Sequence, residues 1–175
     1  MGDLEVLMAI CPPPRTHSPT VGSRSDDFAP TIPSSHRELI ETYGVGCFDE
    51  FIWIFGEGIE NPHLDISTKT RAMGSILRTK ECTDLRAGLN DYSVDPGDLV
   101  QWGASDNGDS LMWLPVGEPA RWPTVIIEAG QLSFAFSTRS SAGVLVDLLT
   151  GALRPSFFPE DFPSDRPMFS ANPYI

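Results

Sequence analysis

The chain has 175 residues, 41% of them hydrophobic, with ten Phe and four Trp, which is the length of one domain and enough apolar bulk for a core. That content excludes a disordered chain. Lys and Arg number 12 against 24 Asp and Glu, and the resulting charge of −12 repels phosphate backbones and anionic lipid and attracts a cationic partner, so neither nucleic acid nor a membrane is an expected partner.

Leu4, Leu7 and Met8 recur at helical spacing and predict a short helix over residues 2–10. Residues 11–31 hold five prolines with Ser, Thr and Asp, a linker or irregular wrap; with the short helix they form an N-terminal region, 1–31. Ser35 and Glu38 have capping-box spacing, Ile32 can staple onto Leu39, and Leu39, Ile40 and Tyr43 make the stripe of a helix that Gly44 ends. Phe51 to Gly56 is an apolar run of strand length, predicted as a buried strand. Asn61-Pro62 opens a second helix, with Leu64, Met73, Ile76 and Leu77 as its stripe to about residue 80. Gly88 to Gly97 reads as a loop. Strands follow around residues 99–115, then TVIIEAG and QLSFAFS. A last helix opens at Ser140 or Ser141, carries Val144, Leu145, Leu148 and Leu149, and stops at Gly151. The tail, 155–175, alternates Pro and Phe with acids between, and is expected to lie extended on the domain 32–154. The fold class is therefore α+β: a single domain with a mainly antiparallel central sheet, helices packed on it and extended Pro-rich termini.

LVQWGASDNGDSLMWL, residues 99–114, is the most informative stretch. Asn107-Gly108 between apolar runs signals a hairpin with a two-residue turn. In that register Trp102 faces Trp113, Ala104 faces Leu111 and Val100 faces Pro115 on one side of the sheet. Leu99, Gln101, Met112 and Leu114 share the other, so the hairpin belongs at the centre of the sheet. Asp106 then opposes Asp109. Four readings are open for this pair: local backbone N–H bonds, a cationic partner, a hard cation, or a catalytic pair.

Chemical signatures are sparse. His17, His36 and His63 lack ligand spacing, and Cys11, Cys47 and Cys82 lack a CxxC. Cys47 follows Gly-Val-Gly in an expected turn, with no local base for a nucleophile, and Gly44-Val45-Gly46 lacks the third glycine of a dinucleotide loop. No catalytic residue, metal ligand or cofactor is expected. The odd thiols, the absence of a basic leader and the lack of an 18-residue apolar run lead to an expected cytoplasmic setting.

Several of these motifs, in this order, resemble the SUKH superfamily, which includes a fungal cell-wall assembly regulator and many bacterial immunity proteins. The resemblance covers about residues 32–163. It rests on Ile32-Pro33, Leu39 and Tyr43-Gly44; on Trp102-Gly103, Asp106-Asn107-Gly108-Asp109 and Trp113; and on Arg121-Trp122-Pro123 and PSFFPEDFP. The resemblance implies a binding protein that neutralises a cognate polymorphic toxin, basic and directed at nucleic acid, by occluding its active site. A regulator or scaffold of the same fold is the alternative. From charge and expected exposure, Asp49, Glu50, Asp106, Asn107, Asp109 and Glu118 are the candidate partner-binding residues. Tyr43, Gly44, Trp102, Gly108, Trp113 and Trp122 are assigned to structure.

Overall fold

The computed structural model describes residues 1–16, 30–131 and 133–171. Most of the linker 11–31, including His17, lies outside the described residues. Five α-helices run over Asp3–Ile10 (α1), Ser34–Tyr43 (α2), Ile66–Thr79 (α3), Thr83–Leu89 (α4) and Ser141–Thr150 (α5). Seven strands run over Gly46–Phe48 (β1), Ile52–Ile54 (β2), Val100–Ser105 (β3), Ser110–Trp113 (β4), Thr124–Ile127 (β5), Phe134–Ser137 (β6) and Phe169–Ala171 (β7). They form one antiparallel sheet in the order β6-β5-β4-β3-β2-β1-β7. The architecture is α+β, as expected, with the β3–β4 hairpin at its centre.

The first six strands are a meander, and the last strand in the chain returns to flank the first. One face buries Trp102, Leu111, Trp113 and Ile126 with α1, α2, α5 and Phe162 of the tail. The other buries Leu99, Met112, Leu114 and Val125 under Leu77, Leu85 and Leu89 of α3 and α4. The two-sided pattern of the hairpin sequence therefore corresponds to helices on both faces.

Ser140 caps α5 through the Gly143 N–H, and Gly151 ends it at φ 77°, both as the sequence predicted. Its N-terminus also holds α1. Arg139 pairs with Asp3 and Asp147, and the Ser140 hydroxyl bonds Asp3 at 2.9 Å. Burial alone would raise the Asp3 carboxyl, but hydrogen bonds from Arg139 and Ser140 outweigh it and hold it below its ordinary value.

Several expectations need correction. α2 starts at Ser34 behind Pro33, with no side-chain cap, so the Ser35–Glu38 box does not form. Asn61 caps only a single 3-10 turn over Pro62–Leu64, and α3 begins after Asp65, whose carboxylate accepts from Thr68 N–H at 2.9 Å and from its hydroxyl at 2.7 Å. The buried stripe of α3 is Ile66, Thr70, Gly74 and Leu77, and Ile76 is exposed. Thr70 is inward because its hydroxyl accepts the Gln101 N–H at 3.0 Å. The expected loop at Gly88 overlaps α4, and Cys47 lies in β1 rather than in a turn. The described part of the tail includes a strand, β7, which the Pro-Phe alternation concealed.

The central hairpin also departs from the two-residue turn. Ser105 N–H donates to Asp109 O at 2.9 Å, leaving a three-residue loop, 106–108, in which Gly108 alone has a positive φ, 89°. A bulge between Gln101 and Gly103 absorbs the shift, so Trp113 pairs with Val100. The same bulge puts Ala104 opposite Ser110 and Trp53, on the side away from Leu111. Gly103 is required there, because a Cβ would sit 2.7 Å from the Trp53 carbonyl oxygen. The Trp102 and Trp113 rings nevertheless stack, with centroids 6.0 Å apart. Among the described residues, no helix is long and apolar enough to cross a membrane.

Candidate interaction surface at the hairpin tips

Two hairpin tips lie side by side because β2 pairs with β3, Ile52 opposite Ser105. The Asp106 N–H donates to Phe51 O at 2.8 Å and fastens one tip to the other. The β1–β2 turn is closed by Phe51 N–H to Phe48 O at 3.0 Å, with Asp49 and Glu50 at φ 53° and 55°. Two consecutive non-glycine residues at positive φ are costly, and they persist because the surroundings hold them. Met168 O accepts the Asp49 N–H at 2.7 Å, and the Asp49 carboxylate takes the Ser164 N–H at 2.7 Å and its hydroxyl.

The tail completes the site. Phe162 packs on Phe51 with ring centroids 4.8 Å apart, and Phe158 meets Phe51 edge-on. Between tips and tail runs a groove of about 540 Å3, lined in part by Glu50, Asn107, Asp161, Ser164 and Arg166. Glu50, Asp106 and Asp161 make no side-chain hydrogen bond or ion pair among the described residues, and Glu50 and Asp106 are exposed. Their field reaches inward: burial pushes the Cys47 thiol up to about 12, aided by the charges of Asp106, Glu50 and Asp49.

The structure brings together four of the six candidate residues, Asp49, Glu50, Asp106 and Asn107. Asp109 is a correction. It is 2% exposed and turned inward, where it accepts from the Ser105 hydroxyl at 2.6 Å and the Ala129 N–H at 3.0 Å. It does not oppose Asp106 and presents no charge at the tip. Glu118 is a second correction: it is exposed, but it follows the far end of β4 and begins the 3-10 turn Pro119–Arg121, away from the tips. Asp161, Ser164 and Arg166 belong to the groove and were missed. The alternation of acid, Phe and Pro in residues 159–168 was their only sequence signal.

No protein-family model, curated protein or solved structure matches this chain.

The residues assigned to structure are buried or at turns. Tyr43 donates its hydroxyl to Cys11 O at 2.6 Å and packs on Phe48 and Phe169. Gly44 ends α2 at φ 78°. Trp122 donates Nε1 to Gly117 O at 3.1 Å, and its ring stands 6.4 Å from Trp113. His36, to which no role was assigned from its spacing, lies between Trp102 and Trp113 at 5.8 and 4.8 Å. Its Nε2 is 2.7 Å from Phe55 O, which can only accept, so Nδ1 is left to accept the Ser141 hydroxyl at 2.9 Å. Burial lowers this imidazole to about 4, so it is neutral in the core. His36 and Ser141 form a histidine–serine pair in which each residue is 1% exposed.

Proposed function

We propose that the protein is an immunity protein of the SUKH kind: a cytoplasmic, stoichiometric inhibitor that binds a basic, nucleic-acid-targeting toxin and occludes its active site without turnover. The observation that carries this reading is the meeting of Asp49, Glu50, Asp106 and Asp161 at one end of the sheet, three of them with carboxylates unengaged among the described residues.

A basic phosphate-gripping surface needs such a partner. The overall charge of −12 accelerates its approach, and the clustered acids set the orientation. The tip is also held in a fixed shape by the tail and by Asp106, so little ordering is needed on binding. The superfamily resemblance of residues 32–163 supports the same reading from an independent direction.

The test is binding to the protein encoded beside it, measured as an association rate at low and high salt. Wild type is expected to associate fast at low salt and more slowly as salt rises. Glu50→Lys with Asp161→Lys is expected to slow association at least about ten-fold at low salt, with the salt dependence reduced. Tight binding that ignores both the reversals and salt would place the interface elsewhere, and no binding to the neighbouring product would remove the immunity reading.

A further inference from the structure

A second concavity shares no lining residue with the acidic groove among the described residues. It has a volume of about 500 Å3, within the range of about 300–1,000 Å3 usual for small-molecule sites. Its walls are Trp53 and Ala104, which pair directly across β2 and β3 and so share one side of the sheet, and Phe55 and Leu64. Asn61, His63 and Lys69 supply the polar groups.

The charge of this pocket runs against the rest of the chain. In a sequence with twice as many acids as bases, its lining among the described residues holds no carboxylate, one of the two lysines and one of the three histidines. Lys80, the other lysine, is engaged by Gly130 O and the Gln131 side chain. Lys69 has no oxygen partner among the described residues; its ammonium stands 5.9 Å from the centroid of the Phe55 ring. The nearby acid, Asp65, is already spent on the start of α3, where it accepts from Ile59 N–H at 3.2 Å and from Thr68. An aromatic floor with an unneutralised ammonium over it matches one ligand chemistry: a flat apolar body ending in an anion.

We propose that this pocket binds a small amphipathic carboxylate, its apolar body against Trp53 and Phe55 and its carboxylate on Lys69. The ammonium then gains the counter-charge it lacks, and the half-buried indole of Trp53 is covered.

Three probes separate body from charge: 3-phenylpropionate, its neutral amide and acetate. Titrated into 15N-labelled protein, 3-phenylpropionate is expected to bind with a Kd of about 1 mM or below and to shift the Trp53 indole and the amides of Lys69 and Ala104. The amide is expected to bind about five-fold more weakly, and acetate not to bind. Lys69→Met removes the difference between acid and amide. Ala104→Leu, which fills the pocket, weakens both aromatic probes. Equal binding of acid and amide, shifts confined to another surface, or no binding by any probe at about 10 mM overturns the proposal.

Discussion

The Asp109 carboxylate and the Ala129 N–H lie 3.0 Å apart and tie the β3–β4 loop to the β5–β6 turn. Asp109 also accepts the Ser105 hydroxyl, so its removal strands that buried hydroxyl along with the Ala129 N–H. Asp109→Ala is expected to cost about 3 kcal/mol in urea unfolding. The folded fraction should bind a partner as wild type does. An Asp109→Ala protein of wild-type stability but weakened binding would return this residue to the surface role the sequence suggested.

His36 gives the fold a pH dependence of known sign. Its folded pKa is depressed to about 4 from 6.5, so between those values the unfolded chain takes up a proton that the core refuses. Stability is complete above pH 6.5 and falls as the pH drops toward 4, by about 3 kcal/mol. Asp3, whose carboxyl is held below its ordinary value, loses its contribution only at lower pH. Urea unfolding of wild type and His36→Gln at pH 7 and pH 4.5 checks this; the variant should lose most of the slope. The same slope in both proteins would refute the buried neutral imidazole.

The tail is structural as well as part of the groove. Phe162 is 7% exposed, and β7 pairs with all three residues of β1. Truncation after residue 152 is expected to lower Tm by about 10 °C or more, and Phe162→Ala alone to cost about 3–5 kcal/mol. Thermal melting unchanged by the truncation would show that the tail contributes nothing to the body.

The Asp49–Glu50 turn carries strain that glycine relieves. Glu50 sits at φ 55°, so Glu50→Gly is expected to raise stability by about 0.5–1 kcal/mol, read by urea unfolding. It should also slow association with a cationic partner, by removing one charge from the tip. A loss of stability in this variant would mean that the Glu50 side chain makes a stabilising contact.

Element types were legible wherever one physical signal acted alone. Ser140 and Gly151 bracket α5 because cap and stop chemistry met an unbroken apolar stripe. Most of the hairpin's two-faced pattern was also readable, but the one-residue bulge flips the phase beyond it and turns Ala104 to the other side. The register was not readable: the Asn-Gly signal is shared by two-residue and three-residue loops, and Gly103 concealed the bulge inside a strand. Asp65 was hidden because Asn61-Pro62 is an equally good helix start, which a single 3-10 turn consumed. Of the candidate surface, the tip residues could be placed by turn chemistry. Asp109 could not, because its burial depends on a backbone N–H 20 positions away, and Asp161 could not, because long-range contacts such as Phe162 with Phe51 and Ser164 with Asp49 bring the tail there.

The strand order has a consequence for biosynthesis. β1 is among the first strands to leave the ribosome, yet one of its two neighbours is β7, made after 120 intervening residues (49–168). A nascent polypeptide that exposes β6 but not yet β7 can zip the meander but displays β1 with one bare margin, an invitation to foreign strands. Translation past Ala171 is what shuts that margin. The same event seats Met168 against the Asp49 amide, so the acidic tip acquires its final shape only when the sheet is sealed.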